Sequence, residues 1–213
     1  MKKQLKICIS LLLFNLICNG LYSQNNKFIP YISFGGVTSQ VEGDGYSGFN
    51  KPGFELGTGV AYHLSELMDI SFEIRYMQRG SRKVPRLDLG DTDYFLMRLH
   101  FVDVPVMMTF KLNKLTPLAG VYWGYLMGRY MEDELGTITA QMQGFKDWEA
   151  GVFIGLGYQI HEKWNISLRS GSSVTPFRDY TKLGTNFYWY NRIFNRGWYN
   201  LFLTTTVQFR LFK

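Results

Sequence analysis

Long stretches of this chain alternate strictly between apolar side chains and polar ones or glycine. A period of two belongs to β-strands, not helices. From Phe54 one face reads Phe54, Leu56, Thr58, Val60, Tyr62 and Leu64; the other reads Gly53, Glu55, Gly57, Gly59, Ala61 and His63. The same pattern returns over Ile70–Met77, 95–111, 120–128, Trp148–Ile160, 165–171 and Tyr199–Leu211. A less regular strand is expected at Phe28–Val37. In 95–111 the apolar face runs through Leu99 and Phe101, then Val104, Val106, Met108 and Phe110, so a bulge is expected near Val102-Asp103. The total is about eight strands, the smallest usual membrane barrel. Short connections fall near His63–Leu67, Leu112–Pro117 and His161–Lys163. Long ones fall near 38–52, 79–94, 129–146 and 173–197. That alternation predicts an all-β, eight-stranded antiparallel up-and-down transmembrane β-barrel, with short periplasmic turns, long extracellular loops and both termini periplasmic.

Alternation alone does not say which face looks inward. A secreted or periplasmic soluble β-barrel that binds a small apolar ligand would bury the apolar face. A membrane barrel turns that face to lipid, and three features favour it. The apolar face carries no Asp, Glu, Lys or Arg, as lipid contact requires. The polar face is rich in glycine (Gly57, Gly59, Gly120, Gly124, Gly151, Gly155, Gly157), which weakens exposed strands but fits a crowded narrow lumen. The charges on that face also balance in sign, as an interior network needs. The expected lumen network is Glu55, Glu73, Arg75, Arg98, His100, Asp103, Glu149, Arg169 and Arg210. Tyr62, Tyr158 and Trp164 near the short turns, and Tyr76, Trp148 and Tyr199 near the long loops, suit headgroup girdles.

Residues 1–23 read as a signal peptide: Lys2, Lys3 and Lys6 precede a 12-residue, mostly apolar core, Ile7–Cys18, too short to span a bilayer. Cleavage after Gly20 or after Ser23 fits, leaving 24–213 as the barrel domain. Both cysteines, Cys8 and Cys18, lie in this leader, so cleavage there leaves no disulfide or thiolate site. The formal net charge of +6 includes three leader lysines; without them it is +3, which gives no electrostatic case for nucleic acid.

Four strings carry a family resemblance: Gly43-Asp-Gly-Tyr-Ser-Gly-Phe-Asn50, Leu99-His-Phe-Val-Asp-Val-Pro105, Gly120-Val-Tyr-Trp-Gly-Tyr-Leu126 and Asp147-Trp-Glu-Ala-Gly-Val-Phe-Ile-Gly-Leu-Gly-Tyr158. With the leader and the loop pattern, the chain resembles the PorT-like outer membrane β-barrel family of the Gram-negative Bacteroidetes. The resemblance implies an outer-membrane location and a link to protein secretion, though most members have no assigned role. One departure is the end of the chain. Phe212 is penultimate and out of phase, and Lys213 follows it, where such barrels often close on an aromatic residue.

Catalytic patterns are thin. No His-Glu-x-x-His or Gly-x-Ser-x-Gly occurs. His63 and His161 fall at short turns, and His100 is read as a network member rather than a base. No catalytic, cofactor-binding or metal residue is assigned. Gly43–Gly48 matches Gly-x-Gly-x-x-Gly, but no helix is expected after it to receive a phosphate. Asp91, Asp93 and Glu132–Glu134 read as solvated loop acids, with divalent-cation binding as the lesser reading. The fourth long loop combines Phe187, Tyr188, Trp189, Tyr190, Arg192, Ile193 and Phe194 with Arg178, Lys182 and Arg196, the composition of a partner-binding surface. Expected partners are outer membrane lipid, lipopolysaccharide and an envelope or secretion complex. The expected role is structural, scaffolding or interactive, without enzymatic activity, around a lumen filled by side chains.

Overall fold

A computed structural model describes residues 27–138, 144–179 and 197–211. Eight long strands form one antiparallel ring: β1 (Phe28–Glu42), β2 (Lys51–Ser65), β3 (Met68–Lys83), β4 (Phe95–Phe110), β5 (Leu115–Asp133), β7 (Trp148–His161), β8 (Trp164–Ser173) and β10 (Gly197–Arg210). Each pairs with the next, and β10 pairs back to β1 from Tyr31↔Arg210 to Glu42↔Tyr199, so the sheet has no free edge. Two short strands sit in the long loops. β6 (Gly136–Thr137) folds back antiparallel on the end of β5, and β9 (Arg178–Asp179) pairs with the start of β10. A single 3-10 turn, Leu87–Leu89, lies in the second long loop. The short turns are tight. Between β4 and β5 the chain reverses over two residues, with Asn113 at φ 57°, a left-handed conformation that Asn tolerates.

The strands reach further into the long loops than the alternation suggested. β1 continues to Glu42, β3 to Lys83 and β5 to Asp133. The expected phase slip in β4 is absent: Phe95, Met97, Leu99, Phe101, Asp103, Pro105 and Met107 all point inward without interruption. The irregularity lies across the ladder, in β5. Register passes from His100↔Gly128 to Phe101↔Leu126, leaving Met127 as the extra residue. The bulge therefore lies in β5 opposite His100 and Phe101, not in β4 at Val102-Asp103.

The inside of the barrel is its core. Phe72, Ile154 and Leu203 are 50%, 67% and 42% exposed on the outer wall, whereas Glu73 and Arg169 are 0% and 3% exposed within. The inward residues form tiers. Ile29, Tyr31 and Ala61 close the short-turn end. Val37, Met77, Met107, Leu118, Tyr122, Phe153 and Phe202 pack mid-barrel. Leu99, Phe101, Met97, Phe95 and Val41 fill the long-loop end, under Phe145 and Phe177. Glycines make room for the large side chains. A Cβ on Gly171 would stand 2.3 Å from the Phe202 ring, and one on Gly151 would stand 2.4 Å from the Tyr122 ring and 2.5 Å from the Ser172 carbonyl.

Candidate functional site

The charged residues of the lumen come from facing strands and meet around Arg79. Its guanidinium pairs with Asp103 of β4 and with Glu149 of β7. The aromatic rings of Phe101, Tyr122 and Phe202 surround it, at 4.6, 4.9 and 5.0 Å from the guanidinium carbon. Tyr122 donates its hydroxyl to Glu149 Oε1 (3.1 Å), and Asn200 Nδ2 donates to Glu149 Oε2 (2.6 Å). One step towards the short turns, Arg75 shares Asp103 (3.2 Å) and faces Glu55 (3.3 Å), which also accepts from Thr206. Lower still, Glu73 accepts from Ser33 (2.5 Å) and Tyr31 (3.2 Å), with the Arg169 guanidinium 3.9 Å away. All these ionised side chains are buried, so each carboxylate depends on its partners for what water would otherwise supply.

Six of the nine expected lumen residues therefore come together: Glu55, Glu73, Arg75, Asp103, Glu149 and Arg169. Arg98 and His100 do not. The uninterrupted phase of β4 turns both to the outer wall, where His100 Nδ1 meets the Tyr76 hydroxyl at 2.5 Å. Arg210 keeps the inward phase but sits half-buried at the short-turn rim, with no ion pair among the described residues. The centre of the network, Arg79, falls outside the expected strand, in the 79–94 stretch that the sequence pattern reads as a long loop. The signal that finds it is phase: it follows Arg75 and Met77 at intervals of two. Tyr122, Asn200 and Thr206 are lumen members that the alternation had put on the polar face without a role.

The long-loop end is capped from above. Tyr46 of the Gly43–Gly48 segment stacks on Phe95 (4.7 Å). Arg178 lies over Trp198 (4.2 Å) and Phe145 (5.4 Å). The loop acids are engaged by their own neighbours: Asp91 and Asp93 pair with Lys83 (3.0 and 2.9 Å), and Glu134 accepts from the Tyr94 amide (3.1 Å). The Lys83 ammonium beside Asp91 holds that carboxyl below its ordinary range. Among the described residues no three His, Cys, Asp or Glu side chains converge as a metal site. The expected partner-binding residues Phe187, Tyr188, Trp189, Tyr190, Arg192 and Phe194 lie outside the described residues, as does the leader.

The outer wall is apolar between two aromatic rows. Leu56, Tyr76, Val102, Tyr125 and Trp148 lie in cross-strand register near the long loops. Tyr62, Tyr158, Trp164 and Phe209 lie near the short turns. Tyr199 departs from the expected girdle, being buried. From Phe54 to Tyr62 a strand tilted about 40° rises about 20 Å, close to the apolar height of a membrane barrel. Residues 22–179 match the family described as outer membrane protein beta-barrel domain. The chain belongs to that family. The apolar band of its outer wall is the lipid-facing wall of an outer membrane barrel, and the soluble-barrel alternative falls with the direction of Phe72, Ile154 and Leu203.

Neisserial surface protein A shares this fold, and further solved structures are similar to the chain at lower scores. Neisserial surface protein A (NspA) is 12% identical, the match covering 85% of this chain and 97% of that one, with a TM-score of 0.52. Ail, the attachment invasion locus protein of Yersinia pestis, is 15% identical over 87% of this chain and 99% of that one, with a TM-score of 0.47. The N-terminal β-barrel domain of Pseudomonas aeruginosa OprF is 11% identical over 87% and 100%, with a TM-score of 0.38. No curated protein sequence matches this chain.

Proposed function

We propose that this outer membrane barrel is a non-enzymatic anchor whose long loops engage another envelope component. Residues 1–23 direct export, the short turns and both termini face the periplasm, and the four long loops face outward. The observation that carries this reading is the occupied lumen. Paired charges around Arg79 fill the middle and aromatic side chains fill the outer end, so binding chemistry falls to the loops. The fourth loop supplies the expected surface, with Phe187, Tyr188, Trp189, Tyr190, Arg192 and Phe194. The PorT-like strings make a secretion complex the partner class of choice. Tyr188→Ser with Trp189→Ser is expected to abolish capture of the crosslinked envelope partner. Heat-modifiable gel migration, the sign of a folded barrel, is expected to persist. Retained capture with folded migration overturns the loop assignment.

A further inference from the structure

The lipid-facing sides of β3 and β4 are uncharged along most of their length, through Ile70, Phe72 and Ile74 and through Val102, Val104 and Val106. Near the long loops this changes. Arg82 stands opposite Leu96, and Arg98 stands opposite Gly80, so the two guanidiniums are diagonal neighbours on one face with no side chain from Gly80 to separate them. Lys51 at the start of β2 joins them. It is 3% exposed, yet its ammonium donates only to neutral acceptors, the Pro52 carbonyl (2.6 Å) and Gln78 Oε1 (3.2 Å). Arg82 and Arg98 both repel it, and Arg98 and Lys51 both repel His100. Among the described residues no carboxylate pairs with Arg82, Arg98 or Lys51. Nearby acids are committed elsewhere: Asp91 and Asp93 to Lys83, and Glu132 to the Tyr130 hydroxyl (2.9 Å). Three uncompensated cations, one of them buried, are costly without an anion.

We propose that Arg82, Arg98 and Lys51 form a binding site for the phosphate group of an outer-leaflet lipid headgroup. Height and chemistry select that occupant. Arg98 lies four residues beyond Val102 in the aromatic row, about 10 Å further out along the barrel. That is headgroup depth, and past one polar step at Gln78 and His100 the apolar wall runs on through Val102, Val104 and Ile74 for the acyl chains. Guanidiniums match phosphate with paired N–H donors, and Lys51 adds a point charge. The site rests on the outward orientation of the long loops proposed above.

Lipid A, which carries phosphates, and its dephosphorylated form are the probes, added to the detergent-folded protein and followed by native mass spectrometry. The wild-type chain is expected to retain lipid A about tenfold more than Arg82→Gln/Arg98→Gln. Arg82→Lys/Arg98→Lys is expected to keep most of that retention, and dephosphorylated lipid is expected to bind wild type no better than lipid A binds the Gln pair. Heat-modifiable migration checks that both variants are folded; their side chains lie on the outer wall and hold none of the core. Equal retention by wild type and the Gln pair overturns the site. Equal binding of the dephosphorylated lipid reduces it to apolar contact, and displacement by millimolar inorganic phosphate makes it a free-anion site; either overturns a headgroup site. A wild-type chain that stays in solution without detergent overturns the membrane reading itself, before any lipid is added.

Discussion

Arg79 holds two carboxylates at once, Asp103 and Glu149, both fully buried, and three aromatic rings surround its guanidinium. Removing one partner of a buried pair costs more than the pair contributes, because the other charge is stranded. Arg79→Ala is therefore expected to destabilise the barrel by about 3–5 kcal/mol in urea unfolding from lipid vesicles. Lys114→Ala in a short turn is expected to stay within about 0.5 kcal/mol. A loss below 1 kcal/mol for Arg79→Ala would mean that water reaches the lumen. Arg79 also shows where residue-level reading stops. Its phase is visible from Arg75 and Met77, but nothing in Gln78-Arg79-Gly80-Ser81-Arg82 says that the strand continues. The continuation is decided by pairing with Leu99 and Met97, residues from another strand. Arg98 and His100 were misplaced for a related reason. Their polarity suggests the lumen, whereas the unbroken phase through Leu99, Phe101 and Asp103 sends both out.

At the scale of the strand, the face with no charge is the face that meets lipid, and β7 tests this along its whole length. Ile154 lies near its middle and Ile160 near the short turn, both exposed on the outer wall. A charge on lipid costs most at the midplane and little at the interface. Ile154→Arg is expected to lose about 2–4 kcal/mol of unfolding free energy in vesicles, and Ile160→Arg about 0–1 kcal/mol. Equal losses at the two positions would show that depth does not govern this wall. Strand periodicity made this face legible for β2, β3, β7 and β10 from sequence. It failed at one place, the β4–β5 ladder. An extra residue shifts phase only in the strand that contains it, and Met127 is as apolar as its neighbours. Only the pairing of Phe101 with Leu126 and of His100 with Gly128 shows that the extra residue belongs to β5.

For the whole molecule, closure of the ring converts a polar strand face into an interior, and that interior decides what the barrel can pass. An ion entering from the long-loop end meets Tyr46 on Phe95, then Met97, Leu99 and Phe101, and then the Arg79 cluster. Leaving at the other end requires passing Tyr31, itself bonded to Glu73, and Ile29. Each apolar tier would strip the ion of water without offering ligands, and each charged tier is already paired. Eight strands enclose a lumen about wide enough for side chains alone. The barrel in a planar lipid bilayer is therefore expected to show no stable single-channel openings under applied voltage. Phe101→Ala with Arg79→Ala, which removes one member from each of two touching tiers, is expected to admit water and give small, flickering currents. Stable large openings in the unaltered chain would show that the tiers part in the membrane, and the loops would then lose their place as the sole route of engagement.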